Sequence, residues 1–522
     1  MSQRRPRPEP RPSDLGRFAW HPEPELLGFT DPAESRATLE ELGAASWAAA
    51  LDYLYGEAMR RPIAPETYVE LRRGLFGAEG QPAPAPTSPT TSAELLAEFQ
   101  QRLGPYQFNA SHPRSFAYFT PPSLPIAIVG ELLAQWTNQS VDISHASPSS
   151  SLVEEEVVAW LREVVGFGPD SFGVLTSGGA LANFMALVVA RDIGLAAQRG
   201  SAEPPRGRSF QGVRAYASDQ AHFSVARALD VLGFPADTLR VLPSDGRYRL
   251  TGATLAAAVA EDRAAGLHPW VVAAVAGSTN TGSVDRVGEL ADVAEREGLW
   301  LHVDAAYGGA VRLSAREAWR VPDLERADTI TLDPHKWFYQ PFDLGGLLVK
   351  RREDLRHTFD RSPEYYPSAG GDDEPLHWYQ YSLEGTRRFR GLKLWLSWKS
   401  LGTEGFARLI EANLELAAYL ARRIAESDDF EAEPREPELS VVCFRHLPGP
   451  DVAPDAAALD AHQVGLQRAL EVSGDGWLST TRLRGATWLR AGIVNYLATE
   501  ADVDQLLATL RDLAATDGAA EA

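Results

Sequence analysis

From about residue 150 the chain alternates short apolar runs with amphipathic stretches, a pattern that predicts strands separated by helices. A helix over 151–165 leads to a strand over 172–176, and another helix begins near Ala180. A strand over 214–217 precedes a helix over 223–232, and a strand over 270–276 precedes a helix over 287–297. Strands over 299–303, 329–332 and 345–349 complete the series. Near-continuous strand runs alternating with helices indicate a mostly parallel sheet covered on both faces. After Gly391 a helical period runs through 394–401 and 405–426. A smaller α+β region follows, with strands over 440–445 and 487–494 and a last helix over 500–514. A Pro-rich break at 81–90 sets off a helical N-terminal region, and no solenoid or propeller period is present.

Ligands of such sheets sit beyond the carboxyl ends of the strands. Thr176, His222, Thr279, Asp304 and Lys336 all fall at or just after predicted strand ends, which argues for one shared site. The run 299–307, Leu-Trp-Leu-His-Val-Asp-Ala-Ala-Tyr, carries the carboxylate Asp304 at its end. The segment 331–338, Thr-Leu-Asp-Pro-His-Lys-Trp-Phe, offers Lys336. This pairing suits pyridoxal 5'-phosphate (PLP): a lysine amine forms a Schiff base with its aldehyde, and an aspartate keeps its pyridine nitrogen protonated. An ordinary surface lysine after a strand would read the same way.

The turn 176–183, Thr-Ser-Gly-Gly-Ala-Leu-Ala-Asn, lies between a strand and a helix, where free N–H groups suit a phosphate. It is equally an ordinary strand–helix turn. It is neither a dinucleotide fingerprint nor a Walker loop, which disfavours those ligands. His222, in Ser-Asp-Gln-Ala-His-Phe-Ser-Val at 218–225, starts a helix and can stack on an aromatic cofactor or serve as a plain cap. Thr279, in the polar turn 277–282, can reach a cofactor or simply belong to the turn.

Composition narrows the setting. A chain of 522 residues, 44% hydrophobic, can bury a large core and is expected to hold two or three domains. Its net charge of −21, spread along the chain, argues against nucleic acid and anionic membrane as partners. The single cysteine, Cys443, excludes an internal disulfide, fits a reducing compartment and makes a thiolate zinc site implausible. The first residues are basic with no apolar run behind them, unlike a signal peptide or an anchor, so a cytoplasmic location is expected.

Six segments taken together resemble the group II PLP-dependent decarboxylases, the superfamily of aromatic-L-amino-acid decarboxylase and glutamate decarboxylase. They are 112–119 (His-Pro-Arg-Ser-Phe-Ala-Tyr-Phe), 175–183, 218–222 (Ser-Asp-Gln-Ala-His), 302–307, 333–337 (Asp-Pro-His-Lys-Trp) and 385–395 (Gly-Thr-Arg-Arg-Phe-Arg-Gly-Leu-Lys-Leu-Trp). Their order and spacing agree from about residue 105 to 400. The resemblance implies an α/β fold of PLP-dependent transferase type I. Its expected parts are an N-terminal tail and helical dimerisation arm (1–124), a large PLP-binding domain (125–400) with a mostly parallel sheet, and a small C-terminal α+β domain (401–522).

The same resemblance implies roles. Lys336 would hold PLP and Asp304 would pair with its pyridine nitrogen. His222 would stack on the ring, with Ala306 under the other face. Gly179 and Ala180 would bind the phosphate, with His335 and Thr279 nearby. Asp333 stands where some relatives carry asparagine, and the exchange is expected to change little. A homodimer is implied, and the apolar set Leu26, Leu39, Leu42, Trp47 and Leu51 is more than so short a segment can satisfy alone.

The implied activity is decarboxylation of an L-amino acid to its amine and CO2. In such enzymes a loop tyrosine governs protonation of Cα. The stretch 361–384 holds Tyr365, Tyr366, Tyr379 and Tyr381, and Tyr379 is favoured with Tyr381 next. Tyr118, Phe119 and Thr120 resemble the wall that receives an aromatic side chain. Arg114 and Arg388 would instead suit a distal carboxylate. Open alternatives are oxidative decarboxylation to an aldehyde, action on glutamate or 2,4-diaminobutyrate, and transamination.

Overall fold

A computed structural model describes residues 32–56, 61–201, 203–361, 375–448 and 455–520. The chain forms two compact units, 1–109 and 110–522. In the first, helices span Pro32–Tyr55, Tyr68–Phe76 and Ser92–Glu98. The second and third begin with reciprocal caps, Thr67 with Glu70 and Thr91 with Glu94, that satisfy otherwise orphaned N–H groups. Leu39, Trp47 and Leu51 are exposed at 45%, 46% and 42%, and Leu26 lies outside the described residues.

The expected boundary at residue 124 falls inside the second unit. The reason is backbone pairing: Phe116 N–H bonds the Trp477 carbonyl, Gly492 N–H bonds the Phe116 carbonyl, and Leu124 N–H bonds the Tyr339 carbonyl. These bonds tie residues 110–124 to that unit rather than to the helical arm.

Seven strands form the main sheet of the second unit. They are β1 (Phe172–Thr176), β2 (Val213–Ser218), β3 (Leu239–Leu242), β4 (His268–Val275), β5 (Trp300–Asp304), β6 (Thr329–Leu332) and β7 (Gly345–Val349), in the order β1-β7-β6-β5-β4-β2-β3. From β3 to β6 all pairings are parallel, while β7 runs antiparallel to both its neighbours. β1, β5, β6 and β7 are buried along their whole length, which accounts for the absence of charged residues from β1, β6 and β7; β5 carries only Asp304, at its end. The helix Val287–Glu297 stops at Gly298, whose φ of 68° suits glycine and returns the chain into β5.

Helix Gly179–Val189 passes across the sheet, with contacts to β1, β5, β6 and β7. Together with its continuation to Gln198 it is long and apolar enough to span a bilayer, yet 61% of that window is buried in the protein. A second sheet, β8 (Phe430–Ala432), β9 (Val441–His446), β10 (Ser479–Leu483) and β11 (Ala486–Gly492), is antiparallel in the order β10-β11-β9-β8. It has its own apolar cluster, which includes Leu420, Phe444, Leu489 and Leu506.

Candidate active site

The carboxyl ends of β1, β5 and β6 converge on Lys336. The turn after β6 is closed by Lys336 N–H bonding the Asp333 carbonyl at 2.8 Å. Lys336 Nζ then stands 3.3 Å from Asp333 Oδ2. His335 Nε2 lies 3.3 Å from the same oxygen. Because His335 Nδ1 accepts the Leu344 N–H at 3.2 Å, the imidazole proton sits on Nε2, facing the acid. Burial opposes ionisation of Asp333, but Lys336 and His335 outweigh it and hold the carboxyl below its ordinary range.

Gly178 and Gly179 open the helix after β1 and press against this turn. A Cβ on Gly178 would come within 3.2 Å of His335 Cε1. One on Gly179 would come within 3.0 Å of Asp333 Oδ2 and 3.3 Å of the Ala306 Cβ. Glycine gives the backbone this room without displacing a neighbour; of the first N–H groups of the helix, which have no acceptor within it, that of Gly179 bonds the Asp333 carboxyl. A phosphate fits that description. Gly179, Ala306, Asp333, His335 and Lys336 therefore form one cluster.

Asp304, the last residue of β5, is 6% exposed and has both oxygens held. Oδ1 accepts the Ala306 N–H at 3.1 Å, and Oδ2 accepts Asn183 Nδ2 at 2.7 Å. Asn183 organises a longer chain of hydrogen bonds. Its Nδ2 also donates to Ser224 Oγ at 2.9 Å, and that hydroxyl donates to His222 Nδ1 at 2.8 Å. Its Oδ1 accepts from His302 Nε2 at 3.0 Å. His302 Nδ1 in turn accepts the Thr329 hydroxyl at 3.0 Å, which accepts Trp300 Nε1–H at 3.1 Å.

Every donor in that chain has one acceptor direction, so both histidines are fixed with Nε2 protonated and Nδ1 accepting. Burial lowers the His222 pKa, with Asp304 pulling the other way. Burial likewise pushes His302 well below its ordinary value, against Asp304. Two neutral imidazoles thus flank one buried carboxylate.

The remaining candidate residues are placed less uniformly. Phe119 is core: its ring stacks on Tyr307 with centroids 4.0 Å apart, and the Arg490 guanidinium lies 4.7 Å from its centroid. Tyr307 stacks in turn on Trp337, the neighbour of Lys336, at 4.8 Å. Tyr118 is 60% exposed and meets Trp477 edge-on at 5.3 Å. With Thr279, Thr480 and Arg490 these two line a cavity of about 330 Å³. Thr120 is half-buried beside Phe119 in sequence. Arg490, on β11, donates from Nε to the Thr279 carbonyl at 2.7 Å and from Nη1 to the Ala117 carbonyl at 2.9 Å.

Tyr379 is docked on the body of the protein. It lies in the turn Trp378–Tyr381, whose Trp378 and Tyr381 rings pack on Phe172 at 5.6 and 5.0 Å. Tyr379 N–H bonds the Asp142 carbonyl at 3.3 Å, and Tyr381 OH accepts from Arg352 at 3.0 Å. The Arg387 guanidinium lies 5.3 Å from the Trp378 ring and bonds the Leu175 carbonyl at 2.8 Å, so the turn also reaches the Thr176 end of β1. Tyr365 and Tyr366 lie outside the described residues.

Arg114 and Arg388 are already committed. Arg114 pairs with Asp502 at 3.4 Å, and Arg388 pairs with both Glu131 and Asp343. Cys443 is buried in β9, its thiol pushed up to about 12 by burial, so it offers no nucleophile. Asn183, Ser224 and His302 were not legible as site residues. The signals were period and spacing: His302 and Asp304 share a strand face, and Ser224 follows His222 by two.

A lysine beside a glycine-built anion cradle, with a buried organised aspartate across from it on a type I α/β sheet, defines a PLP-dependent enzyme. The comparisons with known proteins specify it. Residues 77–447 match the pyridoxal-dependent decarboxylase conserved domain. The chain is 31% identical to an aromatic-L-amino-acid decarboxylase of Bacillus atrophaeus, over 82% of its own length and 87% of the relative's. It is 31% identical to an L-2,4-diaminobutyrate decarboxylase of Rhizobium meliloti, over 85% and 86%. Its fold superposes on a crystal structure of Oryza sativa TDC with PLP and tryptamine with a TM-score of 0.83, at 26% identity, covering 93% and 99% of the two chains. The chain belongs to the pyridoxal-dependent decarboxylase family, and it is a PLP-dependent amino-acid carboxy-lyase.

Proposed function

We propose that the enzyme decarboxylates an aromatic L-amino acid to its amine and CO2, and does so as a cytoplasmic homodimer. The match to an aromatic-L-amino-acid decarboxylase carries this reading, and Tyr118 and Trp477, which edge a cavity shared with Thr279, are the aromatic surface nearest in sequence to the expected wall. The pairing of Arg114 and Arg388 with acids supports it, because neither is left to select a distal carboxylate. The names of the Bacillus relative and of the tryptamine-bound plant structure point the same way. Dimerisation is supported by Phe223 and Phe342, each packed beside a site histidine and more than half exposed, and by the exposed Leu39, Trp47 and Leu51. The lone buried cysteine agrees with a reducing compartment.

When bound, PLP supplies an electron-accepting ring for the pair left on Cα as CO2 departs. The protein supplies the rest. Asp304, fixed by Asn183 and Ala306, would hold positive charge on the pyridine nitrogen. Neutral His222 presents an N–H toward the site without adding charge. Lys336 provides the attaching amine, and the cradle of Gly179 and Ala180 sets the cofactor's position.

A second reading rests on Arg490, whose Nη2 has no hydrogen-bond partner although the residue is buried at the cavity wall. That N–H would suit an acidic side chain. Incubating the PLP-loaded enzyme with Phe, Tyr, Trp, dihydroxyphenylalanine, Glu and diaminobutyrate, while measuring CO2, amine, aldehyde and peroxide, separates these. CO2 with equal amine from an aromatic substrate supports the proposal. Turnover confined to Glu or diaminobutyrate overturns it, and aldehyde with peroxide shows the oxidative branch.

A further inference from the structure

A cavity of about 580 Å³ is walled by residues 284–289, at the start of the helix Val287–Glu297, together with residues 319–323 and 436–438. None of its lining residues belongs to the cluster around Lys336. Several of its charged side chains are engaged within the fold. Arg249 pairs with Asp245 and Glu438, Arg247 faces Glu438 at 3.6 Å, and Arg320 pairs with Glu317 at 2.7 Å. Glu289 accepts the Gly252 N–H at 3.0 Å.

Two opposite charges are left over. Arg286 and Asp323 line this cavity, and neither side chain makes a hydrogen bond or ion pair with any described residue, the other included. Asp323 Oδ2 lies against Gly288, two residues beyond Arg286, where an added Cβ would collide with it. Trp319 lines the same cavity and is 67% exposed, with the Arg320 guanidinium 4.8 Å from its ring centroid. So large an aromatic surface left in water beside two unpaired charges describes a binding site more than a solvated wall.

An α-amino acid is the complement of these three groups. Its carboxylate pairs with the Arg286 guanidinium, its ammonium pairs with the Asp323 carboxylate, and an aromatic side chain covers Trp319. A simple anion would meet Asp323 as a like charge, and a simple amine would meet Arg286 as one.

The cavity also reaches the catalytic site through backbone. Asp285, next to Arg286 and buried, accepts the Leu250 N–H at 2.6 Å and the Val275 N–H at 2.8 Å. Val275 stands opposite Asp304 in the pairing of β4 with β5, and the Ala276 N–H bonds the Asp304 carbonyl at 2.9 Å. Drawing Arg286 onto a ligand pulls on the peptide that presents Asp285, and so on the end of β4 beside Asp304.

We propose that this cavity is a second, non-catalytic site for a zwitterionic aromatic α-amino acid, and that its occupant acts on the catalytic site through Asp285. The test uses fluorine NMR of 4-fluoro-L-phenylalanine with PLP-loaded enzyme whose lysine–cofactor bond has been reduced with borohydride, so that no amino acid can replace the lysine. Saturable binding is expected in wild type. It should weaken about 10-fold or more in Arg286→Gln and in Asp323→Asn, as for loss of a charged partner. Asparagine tolerates the φ of 60° at position 323, and Arg286 is exposed, so both variants should fold. 4-Fluorophenylacetate and 4-fluorophenethylamine, each lacking one charge, should bind about 10-fold more weakly or worse. In the unreduced enzyme, 4-fluoro-L-phenylalanine should change kcat at saturating preferred substrate, where competition at the catalytic site changes only KM, and Arg286→Gln should abolish that change. Equal binding in wild type and both variants overturns the proposal, as does equal binding of the acid or the amine. A kcat unmoved by a bound amino acid overturns the coupling through Asp285. The binding arm does not depend on which amino acid is decarboxylated, so failure of the aromatic substrate reading is distinguishable from failure of this one.

Discussion

Asn183 Nδ2 donates to Asp304 Oδ2 at 2.7 Å, while the amide oxygen of Asn183 receives the His302 proton at 3.0 Å. One side chain therefore couples the acid expected to face the cofactor nitrogen to a buried neutral imidazole and, through Ser224, to His222. Removing a partner from such a network leaves buried groups unsatisfied, at about 1–3 kcal/mol. Asn183→Ala is expected to weaken PLP binding about 10- to 100-fold. Titration of the apo-protein with PLP checks this, and unchanged affinity would remove Asn183 from the site.

His302 supplies a pH signature. Burial depresses its pKa, so the folded protein keeps it neutral while the unfolded chain takes up a proton below about 6.5. The unfolded state then binds more protons, so stability is full above that pH and is lost as pH falls toward the folded value. His302→Gln carries no such proton. Tm measured from pH 8 to 5 should show the wild type losing ground to this variant as pH falls, and a constant difference would contradict the assignment.

Tyr379→Phe and Tyr381→Phe are expected to leave the amine-to-aldehyde ratio unchanged, because the fold docks both residues' turn on Phe172. Tyr381→Phe should still cost about 1 kcal/mol for the lost bond to Arg352. Product analysis of both phenylalanine variants tests this, and aldehyde from Tyr379→Phe alone would restore the earlier expectation.

The buried pair Arg387–Glu154 braces the cradle from behind. Arg387 bonds the Leu175 carbonyl at 2.8 Å and Glu154 accepts the Leu175 N–H at 3.1 Å, immediately before Thr176. Arg387→Ala leaves Glu154 as an uncompensated buried charge, which costs about 3–5 kcal/mol. Chemical denaturation should show a loss of that size. The double variant with Glu154→Leu should recover part of it.

Much of the fold was legible because burial wrote itself into the sequence. β1, β6, β7 and the helix Val287–Glu297 have the expected bounds; the strands combine β-branched or apolar residues and the helix has a clear stripe. The break expected between 401 and 405 is Gly402, at φ 63° within the helical stretch Gly391–Ala425. β3 was missed because it is an edge strand with only Leu242 fully buried, and the Ala-rich helix Gly252–Ala264 because its apolar residues make no narrow stripe. Lys336, Asp304 and His222 were readable at strand ends. The partnership of Asn183 with Asp304 spans 121 residues, and the approach of Gly179 to Asp333 depends on helix packing, so neither leaves a local trace.

The most direct test is Lys336→Ala, incubated with PLP and then with the preferred amino acid. The account predicts that the visible band of the covalently attached cofactor is absent and that CO2 release falls by orders of magnitude, while the protein keeps its fold by circular dichroism. An unchanged visible band, or near-native CO2 release, would contradict the placement of the chemistry at Lys336.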